Sequence, residues 1–376
     1  MEISARAVAV DSVSFRSTPI AAVMRERMES IGFEVEQLEM IDPLGEKKVS
    51  LVGRRGPGRG GIAYFCHNDV VPVDGWNAAA GGPFDAVVSD GKLWGRGACD
   101  MKGSAAAALA ALSQIPVENQ TAPITFVVTS DEEHGMHGAR LVAEKSKLYR
   151  RLVEENGVGI IGEPTELSIV HAHKGGWYLH VTARGRAAHS STAEGINANW
   201  HLIPFLSFLH EVKTRTESDP AMMNSDFDPP TMSMNMVIKN QPTAANITVE
   251  NATCTIFLRL MPNTPWQSLA DEICRRASEM GLEIRSPSTL SPVCTPQGSR
   301  FVHEAIELAA SESGMSGRAK TVSYATDGCW FTEVRNLIVL GPGSIQQAHR
   351  PDEFVTLEQL SAGTELYRRF FERYAC

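Results

Sequence analysis

Hydrophobic positions follow two alternating patterns over the first 165 residues and again after residue 300. Short apolar runs typical of buried strands alternate there with segments of helical periodicity or high alanine content. This alternation predicts an α/β fold with a mostly parallel, helix-flanked sheet. The predicted strands are 33–38, 61–66, 124–129, 158–161 and 337–340, and the predicted helices are 20–32, 104–112, 302–313 and 357–374.

The segment between residues 177 and 288 has a different order of elements. Strand-like runs at 177–183, 232–238, 246–260 and 282–285 are separated by helical segments at 196–213 and 268–280. The order βαββαβ is typical of a ferredoxin-like α+β unit. We therefore predict a discontinuous catalytic domain formed by 1–176 and 289–376, into which a ferredoxin-like domain is inserted at 177–288.

Composition narrows the class of protein. The chain has 376 residues, of which 43% are hydrophobic and 21% are charged, as in a folded globular protein. Its formal net charge is −9 and it has no basic block, so we expect neither nucleic acid nor an anionic membrane as a partner. The longest purely apolar stretch, 105–112, is far shorter than the roughly 20 residues that span a bilayer.

The first residues and the cysteines favour a cytoplasmic protein over a secreted one. Glu2 and the lack of an apolar stretch after it argue against a secretory signal. The 7 cysteines are an odd number and are scattered singly, so we expect neither a disulfide framework nor a zinc ribbon. A cytoplasmic protein of metabolic type, acting on a small molecule, is the expectation that remains.

Polar side chains follow three predicted strands at the point where each strand ends. His67 and Asp69 follow 61–66, an acidic run at 130–134 follows 124–129, and Glu163 follows 158–161. In an open α/β sheet, ligands bind beyond the carboxyl ends of the strands. Each residue alone is more often an ordinary hydrogen-bonded group. Their coincidence at three strand ends indicates a divalent metal site, most often zinc.

Five sequence blocks support a more specific interpretation. They are HNDVVP at 67–72, GRGACDMKG at 95–103, SDEE at 130–133, GEPT at 162–165 and AHRPDE at 348–353. In this order, and with an inserted domain, the chain resembles the dinuclear zinc amidohydrolase and exopeptidase family. That family includes acetylornithine deacetylase, succinyl-diaminopimelate desuccinylase, aminoacylase and glutamate carboxypeptidase.

The resemblance implies two divalent metal ions, with Zn²⁺ expected and Co²⁺ as a substitute. The implied metal ligands are His67, Asp100, Glu133, Glu163 and His349. Asp100 would bridge the ions, His67 and Glu163 would complete one site, and Glu133 and His349 would complete the other. Cys99 precedes the implied bridging aspartate, but carboxylate-rich sites of this type do not use a thiolate.

Two further carboxylates have implied roles beside the metals. Asp69 would accept the imidazole N–H of His67, which fixes its tautomer. Glu132 would be the general base, because its neighbour Glu133 is used by the metal and Glu132 is left free. It would take a proton from a metal-bridging water and pass it to the leaving amine.

Three residues of the inserted domain match positions that contact substrate in the family. His189 would reach the active site of a partner subunit and stabilise the oxyanion of the tetrahedral intermediate. Asn246 would lie on the substrate side. Strand alternation places Arg259 on the face opposite Cys254, Ile256 and Leu258. The family's arginine there binds the substrate's α-carboxylate.

The substrate is less sharply indicated than the reaction. The blocks at 161–175 and 340–353 are most similar to those of acetylornithine deacetylase, which would place the reaction in arginine biosynthesis. The step Thr326-Asp327-Gly328 is closer to desuccinylases and carboxypeptidases, and Asp327 could pair with a substrate ammonium. We expect hydrolysis of an N-acyl amino acid, with N²-acetylornithine as the first candidate. Desuccinylase, other deacylase, and carboxypeptidase or dipeptidase activities stay open, as does an inactive binding or scaffold homologue.

The helix predicted at 196–213 has an unusually wide apolar surface. Trp200, Ile203, Leu206 and Leu209 add bulk beyond what one face of a small domain requires. We therefore predict that the inserted domain is a lid and dimerisation domain, and that the protein is a homodimer.

Overall fold

The computed structural model describes residues 2–14, 18–42, 44–313 and 317–376. Its helices are α1 (Glu2–Val8), α2 (Thr18–Ser30), α3 (Lys102–Leu112), α4 (His137–Lys145), α5 (Lys147–Glu154), α6 (Ala198–Ser218), α7 (Trp266–Glu279), α8 (Arg300–Ser313) and α9 (Leu357–Ala375). Single 3₁₀ turns are Val117–Asn119, Pro220–Met222 and Asp327–Trp330.

The strands are β1 (Glu34–Ile41), β2 (Lys47–Arg55), β3 (Ile62–His67), β4 (Val87–Ser89), β5 (Lys92–Trp94), β6 (Ile124–Thr129), β7 (Val158–Ile161), β8 (Val170–His173), β9 (Gly176–Arg184), β10 (Met234–Gln241), β11 (Asn251–Leu258), β12 (Glu283–Arg285), β13 (Thr289–Leu290), β14 (Val293–Cys294), β15 (Lys320–Val322), β16 (Leu337–Val339) and β17 (Phe354–Thr356).

The chain divides into two compact units. The first comprises Met1–Ala172, Cys294–Lys320 and Thr326–Cys376, and the second comprises His173–Val293 and Thr321–Ala325. The predicted insertion, 177–288, lies inside the second unit. That unit also takes in a few residues on either side of 177–288 and the short segment Thr321–Ala325.

The first unit is built on a sheet with the order β1-β2-β6-β3-β7-β16, followed by β8 and β14 with β15 beside β8. The central strands β6, β3, β7 and β16 are parallel, whereas β1 and β2 extend the sheet antiparallel. A mostly parallel centre is what the sequence predicts. The additional strand β2 was not predicted, although all of it after its first residue is buried.

Successive side chains of β3 point to opposite faces of this sheet and pack against different helices. Tyr64 stacks edge-on against Tyr367 of α9, with ring centroids 5.1 Å apart. The next residue, Phe65, contacts Phe331, which in turn contacts Tyr149 of α5. The helix-flanked α/β class is therefore confirmed for this unit.

The register of the parallel strands brings their carboxyl ends to one edge. Residue His67 pairs with Thr129, so β3 and β6 end side by side. Ile161, the last residue of β7, pairs with Phe65 of β3. Polar residues that directly follow these strands must therefore emerge close together.

The second unit contains an antiparallel sheet with the order β10-β11-β9-β12, and β13 pairs with β9. In chain order its main elements are β9, α6, β10, β11, α7 and β12, which is the predicted ferredoxin-like arrangement. Alternate residues of β11 are buried, in agreement with the predicted two-faced strand. Across the described ranges, no helix combines the length and apolar character that a membrane-spanning segment needs.

Candidate metal centre

His67 is the last residue of β3, and its orientation is set by a main-chain oxygen. Its Nδ1 lies 2.9 Å from the carbonyl oxygen of Asp69 and 3.7 Å from the carboxylate of that residue. A carbonyl oxygen only accepts, so Nδ1 donates its proton to it, and this contact directs Nε2 toward Asp100. The predicted contact of the Asp69 carboxylate with this imidazole is therefore replaced by a contact of its carbonyl group.

The Asp69 carboxylate instead binds the acidic turn that follows β6. Its two oxygens accept the backbone N–H groups of Glu132 at 3.0 Å and Glu133 at 3.3 Å, and the hydroxyl of Ser14 at 2.7 Å. Asp69 is fully buried, so these hydrogen bonds satisfy a charge that has no water around it. The residue thus connects the segment after β3 to the segment after β6.

Asp100 lies in the turn before α3 and faces both histidines of the site. Its Oδ1 is 3.1 Å from Nε2 of His67, and its Oδ2 is 3.4 Å from Nε2 of His349. The turn is held by Glu353, which accepts the N–H groups of Asp100 at 3.0 Å and Cys99 at 2.8 Å. Glu353 is itself paired with Arg96 at 2.6 Å.

The remaining predicted ligands complete the two sides of Asp100. Glu163 lies just after β7, and its Oε1 is 3.7 Å from Nε2 of His67. Glu133 lies on the opposite side, with Oε2 3.0 Å from Nε2 of His349. The structure therefore brings all five predicted ligand residues together, in the two groups that the family resemblance implies.

The charges of this cluster are unbalanced toward the negative. Burial raises the pKa of Glu132 and Glu163 well above the usual range, and nearby carboxylates add to the effect. Burial also raises the pKa of Glu133, to which Asp100 contributes. Hydrogen bonds to Asp100 and Glu133 raise the pKa of His349 to about 10. The two imidazoles lower the pKa values of the glutamates but do not offset burial, so the cluster has too little positive charge to stabilise all of them as anions.

Divalent cations fit the donor set on two grounds. His67, Asp100 and Glu133 each offer a ligand atom within 4.8 Å of one another, which marks a potential metal group among the described residues. Two ligands bound at about 2.0–2.1 Å in a tetrahedral site lie roughly 3.4 Å apart. The observed Nε2–oxygen distances of 3.1, 3.4, 3.0 and 3.7 Å are of this size. Carboxylate and imidazole are also the ligands that zinc and similar ions prefer.

Asp327 and Gly328 lie in the same unit, next to the end of β6. The hydroxyl of Thr129 donates to Oδ2 of Asp327, whereas Oδ1 is buried and has no hydrogen-bond partner among the described residues. Burial raises the pKa of Asp327 to about 7, against the hydrogen bond from Thr129. Gly328 is buried and donates its N–H to the Thr326 hydroxyl at 3.0 Å.

The three predicted residues of the second unit lie on two parts of it. His189 and Asn246 are exposed and occupy adjacent loops, since the N–H of Ser190 donates to the carbonyl of Asn246 at 3.0 Å. Arg259 directly follows β11, and its guanidinium lies 4.6 Å from the ring centroid of Phe257 on the predicted face. Their roles toward a substrate stay predictions.

Several residues that support the site were not singled out from sequence. Ser14 and Thr129 bind the carboxylates of Asp69 and Asp327, and Glu353 and Arg96 hold the Asp100 turn. Glu353 and Arg96 did carry a signal, because both lie within the recognised blocks. Ser14 lies in no block and could not have been found from its sequence context.

Comparison with known proteins defines the class. The pattern described as "Peptidase family M20/M25/M40" matches residues 63–373, so the chain belongs to this family. Its members are metal-dependent hydrolases, and this chain is an M20-family metallo-hydrolase.

The chain is also similar to individual members of this family. Acetylornithine deacetylase of Myxococcus xanthus is 32% identical over 368 residues, which covers 94% of this chain and 91% of that protein. Among solved structures, an M20 family metallo-carboxypeptidase from Sulfolobus solfataricus has a TM-score of 0.76 at 18% identity, covering 99% of this chain and 98% of its own. A dinuclear metal binding M20 peptidase of Bacillus subtilis has a TM-score of 0.69 at 14% identity, covering 99% and 96%. These two structures show the shared fold.

Proposed function

We propose that this protein hydrolyses the amide bond of an N-acyl amino acid, with N²-acetylornithine as the first candidate, and that it uses two divalent metal ions, Zn²⁺ or Co²⁺ in its place. The observation that carries the proposal is the arrangement around Asp100, whose two oxygens face two different imidazoles. His67 and Glu163 would hold one ion and Glu133 and His349 the other, with Asp100 shared. When bound, the ions polarise the amide carbonyl and lower the pKa of a water molecule.

The chain's own residues then supply orientation and proton transfer. Glu132 takes the proton from the attacking water and delivers it to the departing amine. Its carboxyl group is buried, which raises its pKa toward the range in which a group both accepts and donates a proton. Asp69 holds the backbone of Glu132 in place through its N–H. Arg259 would bind the substrate carboxylate, with Asn246 beside the substrate.

The substrate proposal rests on the deacetylase relative and on Asp327. A buried carboxylate oxygen without a partner is costly, and a substrate ammonium is a ligand that would satisfy it. An ornithine derivative has such an ammonium. Gly328, next to Asp327, would line the same part of the substrate site.

The test is turnover of a small substrate panel by metal-loaded protein. The panel contains N²-acetylornithine, N-succinyl-diaminopimelate, N-acetylmethionine and a dipeptide, and the variant is Glu132→Gln. We expect kcat to fall by about 10²–10⁴ in this variant, with metal content unchanged, because the proton acceptor is lost. Glu118→Gln, a change at an exposed residue of a 3₁₀ turn, is the control and should keep full activity.

The outcomes separate the parts of the proposal. Preferential turnover of another panel member would replace the substrate and keep the reaction. Two bound metals without turnover of any member would overturn the proposed reaction. Full activity of Glu132→Gln would remove Glu132 as the base.

We also propose a homodimer formed through the second unit. Trp200 of α6 is 71% exposed, and Met236 and Ile238 of the edge strand β10 are exposed as well. The register partners of these two β10 residues on β11 are buried, so Met236 and Ile238 extend the apolar face of the sheet past its last covered strand. An unpaired edge next to exposed apolar side chains is typical of an interface.

Sedimentation at micromolar concentration tests this assembly. We expect a species of twice the chain mass, and Met236→Lys with Ile238→Lys should shift it to the monomer. A monomer in the unaltered protein would overturn the dimer. It would also overturn the proposed action of His189 in a partner's active site, where loss of the oxyanion donor would cost about 10²–10³ in kcat.

A further inference from the structure

The acidic turn after β6 has a backbone conformation that needs support. Asp131 has a φ of +65°, in the left-handed region that residues other than glycine adopt only sparsely. The two residues that follow, Glu132 and Glu133, are the proposed base and a proposed ligand. The contacts that hold Asp131 therefore also determine where these two carboxylates point.

The strand next to this turn provides a buried cation. Lys48 of β2 has a side chain that is 0% exposed, and its ammonium group lies 3.4 Å from Oδ1 of Asp131. The other oxygen of Asp131 is 2.7 Å from Nδ1 of His137. Asp131 is thus held by a buried cation on one oxygen and by a partly exposed imidazole on the other.

Lys48 is itself fixed by groups from two further segments. Its ammonium donates to the carbonyl of Ser14 and lies 3.4 Å from the carboxylate of Asp42. The Ser14 hydroxyl donates to Asp69, which accepts the N–H groups of the residues after Asp131. One connected network therefore contacts the turn twice, at the Asp131 side chain and at the backbone that follows it.

We propose that Lys48 and Asp131 form a positioning pair for the base Glu132 and the ligand Glu133. Lys48 acts on the turn directly through Asp131 and, by way of Ser14 and Asp69, through the backbone that follows Asp131. The inference rests on the proposed function, since it assigns the pair a purpose only if Glu132 and Glu133 act as proposed. Asp42 offers an internal comparison. It lies the same 3.4 Å from Lys48 but belongs to the β1–β2 connection, where it accepts the N–H groups of Leu44 and Glu46.

The experiment compares Asp131→Asn with Asp42→Asn in the full-length, Zn²⁺-loaded protein. Each variant removes one negative charge at the same distance from Lys48. For Asp131→Asn we expect kcat to fall 10- to 100-fold with little change in KM, and the affinity for one of the two Zn²⁺ ions to fall about tenfold in competition with a chromophoric chelator. Asp42→Asn leaves Lys48 in contact with Ser14 and Asp131, so it should keep the kcat and Zn²⁺ affinity of the unaltered protein, whatever its effect on melting temperature.

Equal kcat and equal Zn²⁺ affinity in the two variants would overturn the proposal, since the network would then serve stability alone. If Asp131→Asn does not fold, His137→Ala decides, because His137 is partly exposed and binds the same carboxylate. We expect a three- to tenfold fall in kcat at unchanged melting temperature, because Asp131 loses one of its two supporting contacts. An unchanged kcat would show that the position of Asp131 does not affect Glu132 and would overturn the proposal. Failure of the proposed function is distinguishable, because the unaltered protein would then itself lack Zn²⁺ binding or turnover.

Discussion

The two imidazoles that face Asp100 are held in opposite ways. His67 ends a central strand, its side chain is 1% exposed, and its Nδ1 is bound to a carbonyl oxygen at 2.9 Å. His349 lies in a loop at a φ of +64°, and its side chain is 55% exposed. One side of the centre is thus part of the sheet, whereas the other is assembled from a loop.

The loop side has its own anchor, which compensates for the missing strand. Four residues after His349, Glu353 accepts the N–H of Asp100 and pairs with Arg96. The loop that carries one ligand is therefore bound to the turn that carries the shared ligand. The long-range Arg96–Glu353 ion pair helps to position His349, as strand register positions His67.

The strongest test of this contrast is to remove each imidazole. His67→Ala and His349→Ala each remove one proposed metal ligand. We expect each variant to lose more than about a hundredfold in activity, because even the loss of a group that hydrogen-bonds a metal ligand costs about 10- to 100-fold. Their metal-free forms should differ. We expect His67→Ala to lose about 2–3 kcal/mol of stability, because it breaks a buried network, and His349→Ala to lose less, because its side chain is 55% exposed and solvent screens its ion pairs. Urea unfolding of the two apoproteins measures this, and equal losses would show that both histidines are structural.

A smaller effect should follow from cutting the loop anchor. Glu353→Gln removes the charge that pairs with buried Arg96, so the His349 loop should move away from Asp100. We expect a 10- to 100-fold loss of affinity for one metal ion and retention of the other. Isothermal titration with Zn²⁺ reports the two affinities. The neighbouring Asp352→Asn, at a half-exposed ion pair with Arg350, should leave both unchanged.

The smallest effect concerns pH in the metal-free protein. The pKa of His349 is raised from 6.5 to about 10, so its imidazolium stabilises the fold fully below pH 6.5. This contribution is lost as the pH rises through about 10, because the folded protein then loses the proton it had retained. The melting temperature of the apoprotein should fall over that range. His349→Ala should show a shallower decline, and an identical slope would contradict the assignment.

Some elements could be predicted from sequence to the residue. Strands 124–129 and 158–161 coincide with β6 and β7, because both are short, continuous apolar runs bounded by polar residues. The strand β2 was missed although it is buried. It carries Lys48, Ser50, Arg54 and Arg55 among its interior positions, and such a composition does not indicate a buried strand.

The polar residues of β2 are buried at acceptable cost only because distant groups bind them. Lys48 lies near Asp131, and Arg54 pairs with Glu155 at 2.9 Å. Asp131 lies 131 − 48 = 83 positions after Lys48, and Glu155 lies 101 positions after Arg54, so no local sequence pattern connects these partners. The same reason explains why Ser14 escaped notice as a partner of Asp69.

The sequence by itself determined the α/β class, the ferredoxin-like order of the second unit and the set of residues that gather around Asp100. Local apolar periodicity carries the fold class and the order of elements, whereas the set of residues around Asp100 is implied by the resemblance of the five sequence blocks to a known family. Only the tertiary structure decided which atoms meet. The two oxygens of Asp100 take different imidazoles, Asp69 binds backbone amides instead of His67, and a buried lysine supports the acidic turn. These choices depend on strand register and on charges that must find partners once water is excluded.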